Sequence, residues 1–267
     1  MLGRELVAAC ARNGYDVRVY DLPGFDITNA EHVGRMVDAS DAIINCAAYT
    51  DVDGAEGHAD PAYRVNGTAV GGLGEQARRG GKWVLHFSTD FVFDGTLDRP
   101  YVETDVPNPI NEYGKSKLLG EQLLQESGCS CCLVRLEWMY GPNGANFVTR
   151  LVERAKTGET LAVVDDQVGS PTATTEVTAA VRNLLEKRAE GLFHFASAGY
   201  VSRYDMAAFI VDHVGLDIEL RPCRTREYPA PAARPLNSRF DCRKVHSLLG
   251  GPAAPWQEPL ACFLRQL

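Results

Sequence analysis

Val84-Leu-His-Phe-Ser-Thr-Asp90 and Asn111-Glu-Tyr-Gly-Lys-Ser-Lys-Leu-Leu-Gly-Glu-Gln-Leu-Leu124 decide the fold. The first is an apolar run breaking into a polar turn, the pattern of a buried strand; the second opens a helix at Asn111. Buried strand followed by helix is the repeat of a parallel α/β sheet. A helix sets Tyr113 and Lys117 one turn apart on a single face, with ~5–6 Å between their Cβ atoms. A free phenol has a pKa of about 10 and moves protons poorly at neutral pH. An ammonium beside it favours the phenolate and lowers that value, which predicts an acid–base tyrosine. Thr89, at the tip of the strand, adds a hydroxyl where open α/β sheets place their chemistry. Tyr-x-x-x-Lys is common by chance; the hydroxyl-bearing strand end and the Phe93-Asp94-Gly95 that follows single this one out.

Towards the N-terminus, Leu2, Leu6 and Cys10 fall on one helical stripe, and Gly14 ends that helix. Asp16-Val-Arg-Val-Tyr20 alternates like a strand and carries Asp21 at its tip. Helix, strand and terminal Asp form the second half of a dinucleotide-binding unit, in which an acidic residue about 20 positions beyond the glycines holds the ribose 2′-hydroxyl. Gly3 is what remains of the glycine-rich loop, so the expected sheet lacks its first strand. An in-frame Val/Ile-rich strand followed by Gly-x-x-Gly is expected in the DNA upstream of the first codon. Asp21, by its charge, favours NADH over NADPH. The loop from Leu22 to Asn29 is expected to lie over an adenine ring through Asp26 and Ile27, with Thr28 or Asn29 capping a helix from Ala30 to Asp38. Ala42 to Ala47 is the next buried strand, and its small-residue turn, with Ala47, Ala48 and Tyr49, lets a flat cofactor approach the backbone. Pro61 introduces a helix from Ala62 to Arg79. Asn66 lies on its inner stripe, where a buried amide needs partners and is expected to bond backbone at the active-site end.

Beyond Leu124 the alternation continues: a strand over 131–135, a helix over 146–156, a short strand over 161–164, a helix over 175–188 and a strand over 192–196. The fold expected is α/β, a Rossmann-like doubly wound and mostly parallel sheet. Residues 1–145 form the dinucleotide-binding domain, and 146–267 mainly a smaller substrate lobe with segments returning to the sheet. That lobe contains a helix over 202–213, a strand over 218–220, a proline-rich stretch from Pro222 to Pro235 without regular structure, and helices over 243–249 and 256–267. His194 alternates with apolar neighbours inside a strand and reads as structural.

A net charge of −8 with no Lys/Arg cluster disfavours a nucleic-acid partner. No stretch of some 18 apolar residues is present, so no membrane-spanning segment is expected. The eight cysteines show no metal-binding or thioredoxin-like spacing and read as reduced residues of a cytoplasmic protein. No metal-site pattern of histidines and carboxylates is present.

A tyrosine acid–base beside a flat redox cofactor calls for a substrate carbonyl or carbinol. Tyr113 handles the proton, Thr89 orients the oxygen, and Lys117 supports the phenolate and holds the nicotinamide ribose. Arg234 and the backbone from Gln167 to Thr172 are candidates to receive phosphate oxygens. Trp138, on a strand-end loop, is read as an exposed substrate wall.

These segments resemble the dTDP-4-dehydrorhamnose reductase family of extended short-chain dehydrogenase/reductases. The matching runs are 45–56, 86–95, 113–121, Trp138-Met-Tyr-Gly141, Asp166-Gln-Val-Gly-Ser-Pro-Thr172 and Arg234-Pro-Leu-Asn-Ser-Arg239. The last two are the discriminating ones. The resemblance implies reduction of the 4-keto group of dTDP-4-dehydro-6-deoxy-L-mannose by NADPH or NADH, with Thr89, Tyr113 and Lys117 catalytic. The residues themselves point to cofactor contacts at Gly3, Asp21, Asp26, Ile27, Ala47, Ala48, Tyr49 and Asn66. Substrate contacts fall at Asp90, Trp138, Gln167, Ser170, Pro171, Thr172, Arg234 and Ser238. A homodimer is compatible with it, and some members use magnesium in dimer formation. Glu137 departs from the family's usual serine or threonine and Glu112 from a common apolar residue. Two alternatives stay open: another sugar-nucleotide reductase or epimerase, or a non-catalytic NADP-binding subunit similar to the regulatory subunit of methionine adenosyltransferase.

Overall fold

The computed structural model describes residues 1–267. Helix α1 (Leu2–Arg12) buries Leu2 and Leu6. Residues 16–20, expected as a strand, have no regular structure, with Val19 64% exposed. The alternation suits a strand, but a strand persists only where a neighbour takes its N–H and C=O groups, and no strand pairs with this segment. Helix α2 (Ala30–Asp38) is capped by Asn29, whose side chain accepts from the Glu31 and His32 amides; the Thr28 hydroxyl is spent on Asp26.

Strand β1 (Ala42–Asn45) leads to α3 (Val52–Gly57), capped by Asp51. Helix α4 (Ala59–Ala62) then runs through a π-helical stretch, Tyr63–Thr68, into α5 (Ala69–Gly80). The periodicity predicts one regular helix here, so the π-helical stretch is a finding of the structure. Gly81 ends the rod at φ 64°, a left-handed conformation that glycine adopts at little cost. Strand β2 (Trp83–Thr89) is buried throughout. Helix α6 (Glu112–Glu126) starts at Asn111, whose side chain accepts from the Gly114 amide, and β3 (Cys131–Leu136) follows.

The second half holds β4 (Met139–Tyr140), α7 (Phe147–Ala155), β5 (Leu161–Val164), β6 (Val168–Gly169), β7 (Thr172–Ala173) and α8 (Thr174–Glu186). Then come β8 (Gly191–Phe195), β9 (Val201–Ser202), α9 (Arg203–Val214), β10 (Leu220–Cys223), α10 (Arg243–Leu249) and α11 (Gln257–Leu264). Strand β10 lies later than the expected 218–220 and takes in Pro222. It pairs only with β5, and a strand with one free edge tolerates a residue that lacks an N–H.

The main sheet is parallel, ordered β1-β2-β3-β8. Period-two alternation splits its side chains between two layers. Ile43, Val84 and Leu133 pack with Val33, Val37, Val70 and Leu73 of α2 and α5. Leu85, Cys132, Val134 and Phe193 pack with Leu6 of α1, Val181 of α8 and Val245 of α10. Helices therefore cover both faces, as a doubly wound sheet requires. Each fully buried aliphatic side chain contributes ~1.5–3 kcal/mol. A separate apolar cluster joins Trp138, Tyr140 and Leu161 to α7, α9 and α11 above the C-terminal end of the sheet.

Helix α6 crosses the π-helical stretch at very short range. A Cβ on Gly120 would collide with the Asn66 carbonyl oxygen. Because that atom is backbone, it cannot rotate away, and Gly120→Ala is expected to lower stability by about 3 kcal/mol. Urea denaturation checks this; an unchanged midpoint would mean that the two helices separate freely.

Candidate active site

Parallel strand ends and helix starts bring the catalytic candidates together. Thr89 ends β2, while Tyr113 and Lys117 lie on the first two turns of α6. The Thr89 hydroxyl donates to Asp90 Oδ1 at 3.0 Å, and the Ser238 hydroxyl donates to Asp90 Oδ2 at 2.5 Å. Tyr113 packs edge-on against Phe91, with ring centroids 5.9 Å apart. Burial, with the Asp90 charge, pushes the Tyr113 phenol up to about 12, and the Thr89 hydroxyl pulls the other way. This corrects the expectation that Lys117 lowers the phenol. The ammonium is spent elsewhere, donating to the Phe87 carbonyl at 2.6 Å and lying 3.3 Å from His86 Nε2. A phenol held protonated is the form that gives a proton away.

Lys117 is itself buried, and burial lowers its pKa to about 8 against the raising influence of Glu121. His86 is fully buried, and burial followed by the Lys117 charge drives its pKa well down, so the ring is neutral. Its Nδ1 lies 3.0 Å from Asn45 Nδ2. A neutral imidazole carries one N–H and one acceptor, so it accepts at only one of its two contacts. Sequence reasoning passed over His86; the signal was a histidine at the centre of a wholly buried strand.

The site includes a fitting bed for the nicotinamide end of a dinucleotide. Asn66 accepts from the Tyr49 amide at 2.8 Å and donates to the Tyr49 carbonyl at 3.0 Å and to Ser116 Oγ at 3.0 Å. This bears out the expectation that its amide bonds backbone, and it fixes the turn through Ala47 and Ala48 beside Lys117's helix. At the other end, the first turn of α1, which holds Gly3, has no side-chain cap. Asp21 is exposed; its carboxylate accepts from the Leu22 amide and its carbonyl from the Phe25 amide. Asp26 accepts from the Thr28 amide and hydroxyl. Ile27 is half-buried against the α2 cluster.

The two discriminating runs meet above this bed. The Val168 amide donates to the Leu236 carbonyl, and the Ser238 amide returns to the Val168 carbonyl, each at 2.8 Å. Ser238 is thereby held on Asp90. Several candidate substrate residues are already engaged. Ser170 Oγ donates to the Ser197 carbonyl and Thr172 Oγ1 to the Ser170 carbonyl, while Gln167 Nε2 donates to Thr225 Oγ1. Pro171 is buried in the same turn. Arg234 forms a bidentate pair with Asp53 at 3.0 and 2.7 Å and donates to the Ala232 carbonyl. A strand-end loop predicts an exposed Trp138, but it is 8% exposed and packed in the lobe core, with the Arg203 guanidinium 3.5 Å from its ring centroid. The reading as a strand-end loop could not see that a residue 65 positions later covers it.

Glu137 is wholly buried and accepts from the Ser170 amide at 2.7 Å and the Phe240 amide at 3.3 Å, so one carboxyl group ties the Asp166–Thr172 run to the residue that follows Arg239. Burial and the nearby Asp90 push its pKa well up. Glu112 accepts from the Tyr63 hydroxyl and from Lys115. His194 is buried, stacked on Phe240 with centroids 4.1 Å apart, and structural as expected.

The family model for the RmlD substrate binding domain matches residues 1–267. The chain is 37% identical over 283 residues to dTDP-4-dehydrorhamnose reductase of Escherichia coli (strain K12), covering all of this chain and 94% of that one. The crystal structure of a dTDP-4-dehydrorhamnose reductase from Clostridium acetobutylicum superposes with a TM-score of 0.95 at 35% identity, covering 99% of this chain and 95% of that one. That of Bacillus anthracis, in complex with NADP, gives 0.94 at 34% identity, covering 100% and 95%. With the parallel sheet, the Thr89–Tyr113–Lys117 cluster and both discriminating runs in place, the chain belongs to the RmlD family of dTDP-4-dehydrorhamnose reductases.

Proposed function

We propose that this protein reduces the 4-keto group of dTDP-4-dehydro-6-deoxy-L-mannose to the alcohol, giving dTDP-L-rhamnose, with NADPH or NADH as reductant. The observation that carries the reading is the bonded chain from Thr89 through Asp90 to Ser238, which ties the strand-end hydroxyl to the Arg234–Arg239 run. A reduced nicotinamide, when bound, supplies the hydride for the carbonyl carbon. The Tyr113 phenol gives its proton to the carbonyl oxygen as negative charge gathers there, so ketone becomes alcohol with one proton taken from the protein. Thr89 orients that oxygen and supports the phenolate left behind through its hydroxyl, while the Lys117 ammonium holds the nicotinamide ribose. Asn66, with the turn it holds at Ala47 to Tyr49, shapes the nicotinamide side. The first turn of α1 at Gly3 receives the diphosphate, and Asp21, Asp26 and Ile27 face the adenosine. Asp90, Trp138, Gln167 to Thr172 and Ser238 enclose the nucleotide-sugar, and Arg234 braces their loops through Asp53. The eight free cysteines suit a reducing, cytoplasmic setting.

The test is oxidation of NADPH or NADH by the purified chain on addition of the 4-keto sugar, with dTDP-L-rhamnose identified as product. Oxidation with another 4-keto sugar nucleotide and none with this one would overturn the substrate. The pH dependence follows from Lys117. Its charged form is lost as pH rises through about 8, so turnover should fall above that value. Lys117→Arg, which stays charged, should carry less activity but no such alkaline fall. An identical alkaline limb in the variant would detach the limb from Lys117.

A further inference from the structure

Arg203 is a cation without a partner. It opens α9 directly after β9, which pairs antiparallel with β6, and its backbone amide donates to the Gln167 carbonyl at 3.1 Å. The residue is thus fixed to the Gln167–Thr172 run. Its guanidinium lies 3.5 Å from the Trp138 ring centroid and 4.8 Å from that of Phe147. Its flat surface is therefore covered by aromatic rings, while its guanidinium N–H groups form no hydrogen bond or ion pair. The contrast with other arginines is sharp: Arg135 is bidentate on Glu121, Arg234 is bidentate on Asp53, and Arg239 donates to Asn237 and to the Asp98 carbonyl.

Two carboxyl groups lie close enough for their charge to act on Arg203, yet neither is within ion-pair reach and both serve other donors. Asp90 takes Thr89 and Ser238; Glu137 takes two backbone amides. Burial moves both towards the neutral acid and lowers Arg203 to about 10. The first turn of a helix is also the end where a cation is disfavoured by the helix dipole. Such a placement opposes folding, and a bound anion offsets it.

We propose that Arg203 receives the diphosphate of the nucleotide-sugar, held flat on Trp138 so that its in-plane N–H groups meet two phosphate oxygens. This rests on the reaction assigned above and names the residue that anchors its substrate. It also separates the two arginines of the cleft: Arg234 braces the lobe against Asp53, and Arg203 meets the ligand. The bidentate fork on an aromatic face is the geometry at which arginine exceeds lysine for phosphate.

The test compares wild type, Arg203→Gln and Arg203→Lys by calorimetric titration with dTDP and with thymidine, alongside steady-state kinetics on the keto sugar. Arg203→Gln should weaken dTDP by ~10–100-fold, the worth of a charge-assisted pair, leave thymidine within about 2-fold, and raise KM with kcat nearly unchanged. Arg203→Lys should recover part of the dTDP affinity and keeps the test available should the glutamine variant fold poorly. Equal losses for dTDP and thymidine would make Arg203 a packing residue over Trp138 and overturn the proposal, as would dTDP affinity unchanged in both variants. Wild-type protein that binds dTDP through Arg203 but does not reduce the keto sugar would overturn the reaction and leave the Arg203 assignment standing.

Discussion

Tyr113→Phe is expected to lower turnover by ~10²–10⁴-fold, the usual worth of a placed acid, with cofactor affinity nearly unchanged. The phenylalanine keeps the ring and its edge contact with Phe91, so the pocket retains its shape and loses one hydroxyl. A phenol pushed up to about 12 is protonated across the working pH range, as a donor to a developing alkoxide must be. The measurement is kcat with the 4-keto sugar beside cofactor binding followed by nicotinamide fluorescence. Turnover equal to wild type would remove Tyr113 from the mechanism. A matching loss of cofactor affinity would instead make it a binding group.

The second large effect concerns the support under α6. Arg135 on β3 holds Glu121 by two bonds, 2.8 and 2.6 Å, with both side chains 3% exposed. This pair joins the helix bearing Tyr113 and Lys117 to the sheet that ends in Thr89. A buried pair adds little net stability over an apolar replacement, but removing one partner strands the other charge. Glu121→Ala should therefore destabilise the fold by ~3–5 kcal/mol. Glu121→Gln, which still accepts from the guanidinium, should lose less. Urea unfolding separates the cases, and equal, small losses in both would mean that water reaches Arg135.

Much of this was legible in the residue order because the cues are local. The apolar run ending at Thr89, the Asn111 helix start and the Tyr113–Lys117 spacing each act within a few residues, and the structure reproduces them. Asn66 was legible for a similar reason: an amide on an apolar stripe must find partners. The failures share a different cause. Residues 16–20 have a strand's alternation, but pairing is a property of the neighbour, and none lies alongside. Trp138 read as exposed because Arg203, which covers it, arrives through the β6–β9 pairing. Arg203 itself left one trace, a cation at the first position of a helix, where local electrostatics argue against it.

The π-helical stretch at Tyr63–Thr68 bears on how this protein tolerates change in length. A π turn closes one residue later than an α turn, so this stretch absorbs a residue that a regular helix would not hold. Losing one residue here lets the rod close as a regular α-helix with Val70 and Leu73 still in the layer beneath the sheet, while Asn66 shifts against the turn it anchors. Single-codon deletions in this segment should therefore keep the fold and loosen the turn at Tyr49, whereas equal deletions inside α5, where each residue turns the chain by ~100°, should unfold the packing beneath the sheet.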